Sequence, residues 1–247
     1  TKSRITKMEL NYNKDMINHE HKFIFIHIPK NAGTSIGKAL NRQCGISELY
    51  ESYRIHSDKF DEKIWEEYFV FTFVRNPFAR MWSQYIYRNW LYQKYPFNEI
   101  LVDNLERIFD IEMEQKESDR YYYGPGASRK NKIKDRENII AFFSEKIHCA
   151  TQTDFLKGMY SDGVDKRPYI DYVGRVETLQ TDFDFICDKI GIDKIKLPRE
   201  NPSIGGAVHT SIDNYLDAYD ENTIKSVAKK CSDDIKNYKY YFEGFDE

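Results

Sequence analysis

The sequence predicts an α/β fold, a single domain with a central parallel sheet flanked by helices. Two apolar runs of strand type, Phe23–Ile28 and Phe69–Val74, each stop abruptly at a turn and give way to a helix-compatible stretch. Strands alternating with helices imply parallel neighbours joined by crossovers. A chain of 247 residues, 40% of them hydrophobic, is long and apolar enough for one substantial core. No internal repeat or low-complexity linker divides it.

Residues 1–20 form a polar N-terminal segment that carries His19, with His21 directly after it, and the domain is expected to span 21–247. The first strand, Phe23–Ile28, breaks at Pro29. Lys30, Asn31, Ala32, Gly33, Thr34 and Ser35 follow as a small-residue turn, then a helix over Thr34–Arg42 and a connector through Arg54. His56 comes next, ahead of a helix start at Ser57 or Asp58. The strand Phe69–Val74 ends at Arg75-Asn76-Pro77; Asn is a good N-cap and Pro fits a first helical turn, so a helix over Asn76–Trp90 is expected. Ile100, Leu101, Leu105, Ile108 and Phe109 recur with helical period. An acidic block (Asp110–Asp119), a turn-rich YYYGPGAS and a basic block (Arg129–Arg136) follow within an insert of about 96–138. The blocks read as solvated faces, or the basic one as an attractor for an anionic acceptor such as an acidic saccharide. Tyr169–Val173 reads as a further strand and Glu177–Ile190 as an amphipathic helix with Leu179, Phe183, Ile186 and Ile190 on one side. Gly191 is well placed to end it.

A strand feeding a glycine-containing turn that opens a helix aims backbone N–H groups and the positive end of the helix dipole at one point. Lys30 adds a mobile charge there, so the point suits a phosphate or sulfate. A P-loop places its lysine late, just before the hydroxyl residue, whereas here the lysine comes first and only one glycine is present. Arg75 stands at the C-terminal edge of the second strand and Ser83 about two turns into the helix behind it, both available to one ligand group. A guanidinium matches a phosphate's oxygens with its fixed fork of donors.

The segment HIPKNAGTS resembles the 5′-phosphosulfate loop of sulfotransferases that use 3′-phosphoadenosine 5′-phosphosulfate (PAPS), in the form found in the carbohydrate group, sulfotransferase family 2 and heparan sulfate 2-O-sulfotransferase-like enzymes. FVRNPFARMWSQY resembles the 3′-phosphate motif of the same family, in which an arginine at the strand end and a serine eight residues later hold the 3′-phosphate. TQTDFL, YVGRVETLQTDF and LPRENPS are similar to further segments, so the likeness runs over roughly residues 21–240. Asn31 stands where threonine is commoner, and the tract 96–138 has no counterpart. The resemblance implies a P-loop-like 5′-phosphosulfate loop and donor contacts from Lys30, Asn31, Ala32, Gly33, Thr34, Ser35, Arg75, Ser83, Arg175 and Ser203. It also implies that His56, between the two motifs, is the general base, a role an imidazole suits at neutral pH. His27, beside the loop, and Glu177 are the alternatives, the latter also suited to orienting Arg175.

Sulfuryl transfer needs the donor held at both ends, the charge on the leaving phosphate stabilised, the acceptor hydroxyl deprotonated and three atoms in line. Lys30 and the N–H groups of Gly33, Thr34 and Ser35 suit the second task. The implied reaction moves the sulfuryl group from PAPS to a hydroxyl of a small-molecule or glycan acceptor. It requires no metal, and no metal-ligand spacing is visible. The competing classes are a P-loop-type kinase, which lacks G-K-[ST] here, and a non-catalytic nucleotide- or sugar-binding module. A net charge of −3 implies no global pull toward nucleic acid or membrane. Four cysteines lie far apart with no C-x-x-C pair. With no secretory signal and no apolar run near membrane-spanning length, a cytoplasmic location is expected, or the Golgi lumen if an N-terminal anchor has been trimmed.

Overall fold

The computed structural model describes residues 14–51, 62–92, 97–98, 151–156, 170–198 and 214–243. His56, Ser203, both charge blocks, the Tyr121–Ser128 loop and the helical period over 100–109 lie outside these residues. The chain divides into two compact units, one of 1–76 with 151–202 and one of 77–150 with 203–247.

The first unit holds a five-stranded sheet: β1 (Lys14–Asn18), β2 (Phe23–Ile26), β3 (Glu48–Glu51), β4 (Phe69–Val74) and β5 (Tyr172–Arg175). Their order is β3-β1-β2-β4-β5. β2, β4 and β5 are parallel, with Phe25 opposite Phe71 and Phe73 opposite Gly174. β1 runs antiparallel to both β2 and β3, so the sheet is mixed and the expected purely parallel sheet is corrected. The physical cause is a tight turn before Phe23. Asn18 accepts a hydrogen bond from the His21 N–H at 2.7 Å, and Lys22 adopts a left-handed φ of 48°, which folds β1 back onto β2 as a hairpin.

All four residues of β2 are buried, as befits a strand inside a covered sheet. Phe25 and Phe71 stack with centroids 5.2 Å apart. Ile36, Ala39 and Leu40 of α1 (Gly33–Gln43) pack with these rings, together with Phe183, Ile186, Cys187 and Ile190 further along the chain. A short α2 (Glu62–Glu67) precedes β4, and a four-residue α4 (Gln152–Phe155) and α5 (Leu179–Ile190) complete the unit. Gly191 ends α5 in a left-handed conformation, φ 70°, as its position foretold. Several boundaries moved: β2 ends at Ile26 instead of Ile28, and β5 begins at Tyr172 instead of Tyr169. β5 runs on to Arg175, paired with Val74, instead of stopping at Val173. Residues Val176–Thr178 form a 3₁₀ turn ahead of α5 because Asp182 accepts bonds from the Arg175 N–H and the Thr178 hydroxyl, at 2.6 and 2.7 Å.

In the second unit α3 (Pro77–Tyr92) presents Phe78, Met81, Trp82, Tyr85 and Ile86 on one face, the spacing of an amphipathic helix. They pack with Phe97, Ala218, Phe242 and with Ile224 and Val227 of α6 (Glu221–Lys230), which α7 (Ser232–Tyr238) follows. Edge-to-face aromatic pairs bind this cluster, among them Phe97 with Tyr219 at 4.9 Å and Phe78 with Phe242 at 5.0 Å. No helix among the described residues is long and apolar enough to cross a membrane.

Candidate active site

Because β2, β4 and β5 are parallel and in register, their C-terminal ends share one edge of the sheet. The chain leaves that edge through Lys30 after β2 and Arg75 after β4, and Arg175 closes β5. Three cationic residues therefore issue from the edge at which ligands bind in open α/β sheets.

The β2–α1 connection holds a strained, largely buried backbone. Lys30 and Ala32 both adopt left-handed φ, 73° and 61°, a conformation that costs non-glycine residues about 1–3 kcal/mol and gathers at ligand clamps. Ala32 is the N-cap of α1 and its side chain supplies no capping bond. The N–H groups of Gly33, Thr34 and Ser35 belong to the first turn, whose donors have no partner within the helix. No acidic residue occupies that turn, so the positive end of the helix dipole there favours an anion. Gly33 is fixed by its neighbour: a Cβ at this position would stand 1.8 Å from His27 Cδ2 and 2.1 Å from Nε2. His27, 3% exposed, is thus packed beneath the first turn, and its backbone N–H donates to the buried Asp15 at 2.6 Å.

Asn31 and Gln152 tie this loop to the end of β4. Asn31 Nδ2 donates to the Phe73 carbonyl and to Gln152 Oε1, both at 2.7 Å. Gln152 Oε1 also accepts from the Arg75 N–H, and Gln152 Nε2 donates to the Arg75 carbonyl, each at 2.8 Å. The Arg75 guanidinium donates through Nη1 to the Lys30 carbonyl at 3.3 Å. The side chain of Asn31 thus makes structural bonds that sequence reading had not assigned to it, while its Oδ1 stays buried without a partner.

Glu177 Oε1 accepts from the Asn76 N–H at 2.7 Å, at the exit of β4. It is Asp182 that fixes the Arg175 backbone. Asp182 also takes the Tyr172 hydroxyl at 2.9 Å; burial first, and this bond second, push the Tyr172 pKa up to about 12. Ser83 lies buried on α3, in the second unit. The first unit accordingly brings together Lys30, residues 31–35, Arg75 and Arg175, with His27 and Glu177 at its margin. Gln152 is the site residue that motif reading passed over. Its only signal was the TQTDFL segment, where nothing in spacing shows which groups an amide will meet. Among the described residues no group of three or more His, Cys, Asp or Glu is placed to hold a metal ion.

No curated protein and no solved structure is a significant match to this chain. The sequence model of the sulfotransferase family, however, matches residues 14–241, from the first residue of β1 to beyond the end of α7. The match takes in the strand-end edge and all three of its cationic residues, and the chain belongs to the sulfotransferase family.

Proposed function

We propose that the protein transfers the sulfuryl group of PAPS to a hydroxyl group of a carbohydrate acceptor. The observation that carries this reading is the shared edge of β2, β4 and β5. There the N-terminus of α1, whose N-cap is the apolar Ala32, and Lys30 adjoin Arg75, which is bonded to the same loop. These groups fit an anionic donor: first-turn N–H groups and Lys30 suit the 5′-phosphosulfate, and Arg75 suits the 3′-phosphate that the family resemblance gives to it and to Ser83. In turnover Lys30 and the N–H groups of Gly33, Thr34 and Ser35 stabilise the charge that builds on the bridging oxygen as the sulfur–oxygen bond breaks. The proton of the acceptor hydroxyl passes to His56, by the same resemblance. His27, packed under Gly33, positions the loop in this reading, and Glu177 holds the Asn76 backbone at the exit of β4.

The test is thermal unfolding with adenosine 3′,5′-bisphosphate, adenosine 5′-monophosphate and ATP with magnesium, followed by turnover of PAPS on panels of glycan hydroxyls. A larger shift from the bisphosphate, without metal, supports the donor. Equal shifts from the first two nucleotides would remove the 3′-phosphate assignment, and a selective response to ATP with magnesium would point to a kinase. Binding without sulfation of any acceptor would leave a non-catalytic module.

A further inference from the structure

Gln152 is fully buried, and its amide meets two separate parts of the candidate site. Both contacts of Oε1 and one of Nε2 fall on the β2–α1 loop or on the residue that follows β4. Bonding the N–H and the carbonyl of Arg75 together is the pattern of a neighbouring strand residue. The side chain thus extends the ladder by one residue beyond Val74, where β4 itself ends. The backbone of Arg75 is fixed this way, and its guanidinium turns back to the Lys30 carbonyl at 3.3 Å. Lys30 is covalently joined to Asn31, and Asn31 returns to Gln152, so the bonds close a circuit. The support for Gln152 is itself capped: it opens α4, whose N-cap Thr151 Oγ1 accepts from the Asp154 N–H at 3.0 Å. Asn31 makes these bonds although its own Oδ1 is left buried without a partner, a costly arrangement in a folded protein.

We propose that Gln152 is a positioning residue, which holds the β2–α1 loop and the Arg75 end of β4 at one fixed separation through a single amide. A ligand bearing an anion at each end is then matched against a preset distance. On the donor reading above, on which this rests, Gln152 sets the preference for an adenosine bisphosphate over a monophosphate without touching either. A neutral amide is suited to the task because it both accepts and donates, and adds no charge that would compete with the ligand.

The experiment measures nucleotide affinity by calorimetry, well below every variant's melting temperature, for wild type, Gln152→Ala, Asn31→Ala and the double variant. Wild type should bind adenosine 3′,5′-bisphosphate more tightly than the 5′-monophosphate. Gln152→Ala should cut that preference about tenfold, the effect of roughly one positioning hydrogen bond. Asn31→Ala should act in the same direction, and the double variant should be little worse than the more damaged single one, because both cut the same circuit. In the ligand-free protein, amide exchange at Arg75 should quicken in Gln152→Ala. A Gln152→Ala protein with lower stability but an undiminished preference would show a structural role only and overturn the proposal, as would fully additive losses. Should Gln152→Ala not fold, Asn31→Ala decides by the same preference. A wild type without any preference would instead overturn the donor assignment and the proposal with it, which separates the two failures.

Discussion

Gly33 leaves no room for a side chain. A methyl group there would enter the ring of His27 at 1.8 Å from Cδ2, and that ring is buried under the first turn of α1. Overpacking of this kind costs about 1–3 kcal/mol, so Gly33→Ala should lower the melting temperature by about 2–12 °C at the scale of this chain. Combining it with His27→Ala should recover part of the loss, because the second change removes the atoms struck by the first. Additive losses in the double variant would show that the two residues do not meet. Lys30 poses a different question, since its left-handed backbone already places it at the head of the loop. Lys30→Ala should lower kcat by on the order of 10²–10³, the range for one preorganised donor, with a smaller loss of donor affinity. Near-normal kcat with a raised KM would mean that Lys30 binds the ground state only.

Elements differ in how openly the sequence declares them. β4 was legible to the residue, and α1 and α5 to within one or two, because apolar period and stop signals agreed at Pro29 and Gly191. β1 was not: KDMIN carries only two apolar residues, and its inner place in the sheet comes from a hairpin that Asn18 and Lys22 create. The cationic edge was legible as motifs, yet the circuit through Gln152 was hidden, since a buried amide follows no hydropathy period. At α6 the cap is explicit. The Asp220 carboxylate accepts from the Thr223 N–H and hydroxyl, each at 2.8 Å, while the Thr223 hydroxyl accepts from the Asp220 N–H at 3.0 Å. The Thr223 backbone bond, then its hydroxyl, hold the Asp220 carboxyl below its ordinary value. Asp220→Ala should therefore cost about 1 kcal/mol at neutral pH, and about 2–4 °C. A depressed carboxyl stabilises the fold above its unfolded pKa of about 3.9 and loses that contribution as pH falls through the folded value. The gap between wild type and Asp220→Ala should thus be full at pH 7 and narrow below about pH 4. A gap that stayed constant down to pH 2 would show that the cap acts without its charge.

At the scale of the whole molecule the charge and the proposed ligand have the same sign. The chain carries −3 in all, and an adenosine bisphosphate is a multiple anion, so the global field repels it weakly. In the proposed reading, attraction comes from the local edge where Lys30, Arg75 and Arg175 leave three parallel strands. Salt separates the two contributions, because the Debye length falls from about 30 Å at 0.01 M to about 3 Å at 1 M. If the distant net charge governed binding, screening would remove a repulsion and the affinity for adenosine 3′,5′-bisphosphate would rise with salt. If the edge governs, screening removes an attraction and the affinity falls severalfold, while uncharged adenosine is bound equally at both ionic strengths. We expect the second outcome. Arg75→Ala should flatten the salt dependence, since it deletes one of the cations that the salt screens. An affinity that climbs with salt, or a slope unchanged by Arg75→Ala, would place the anion site elsewhere than at this edge.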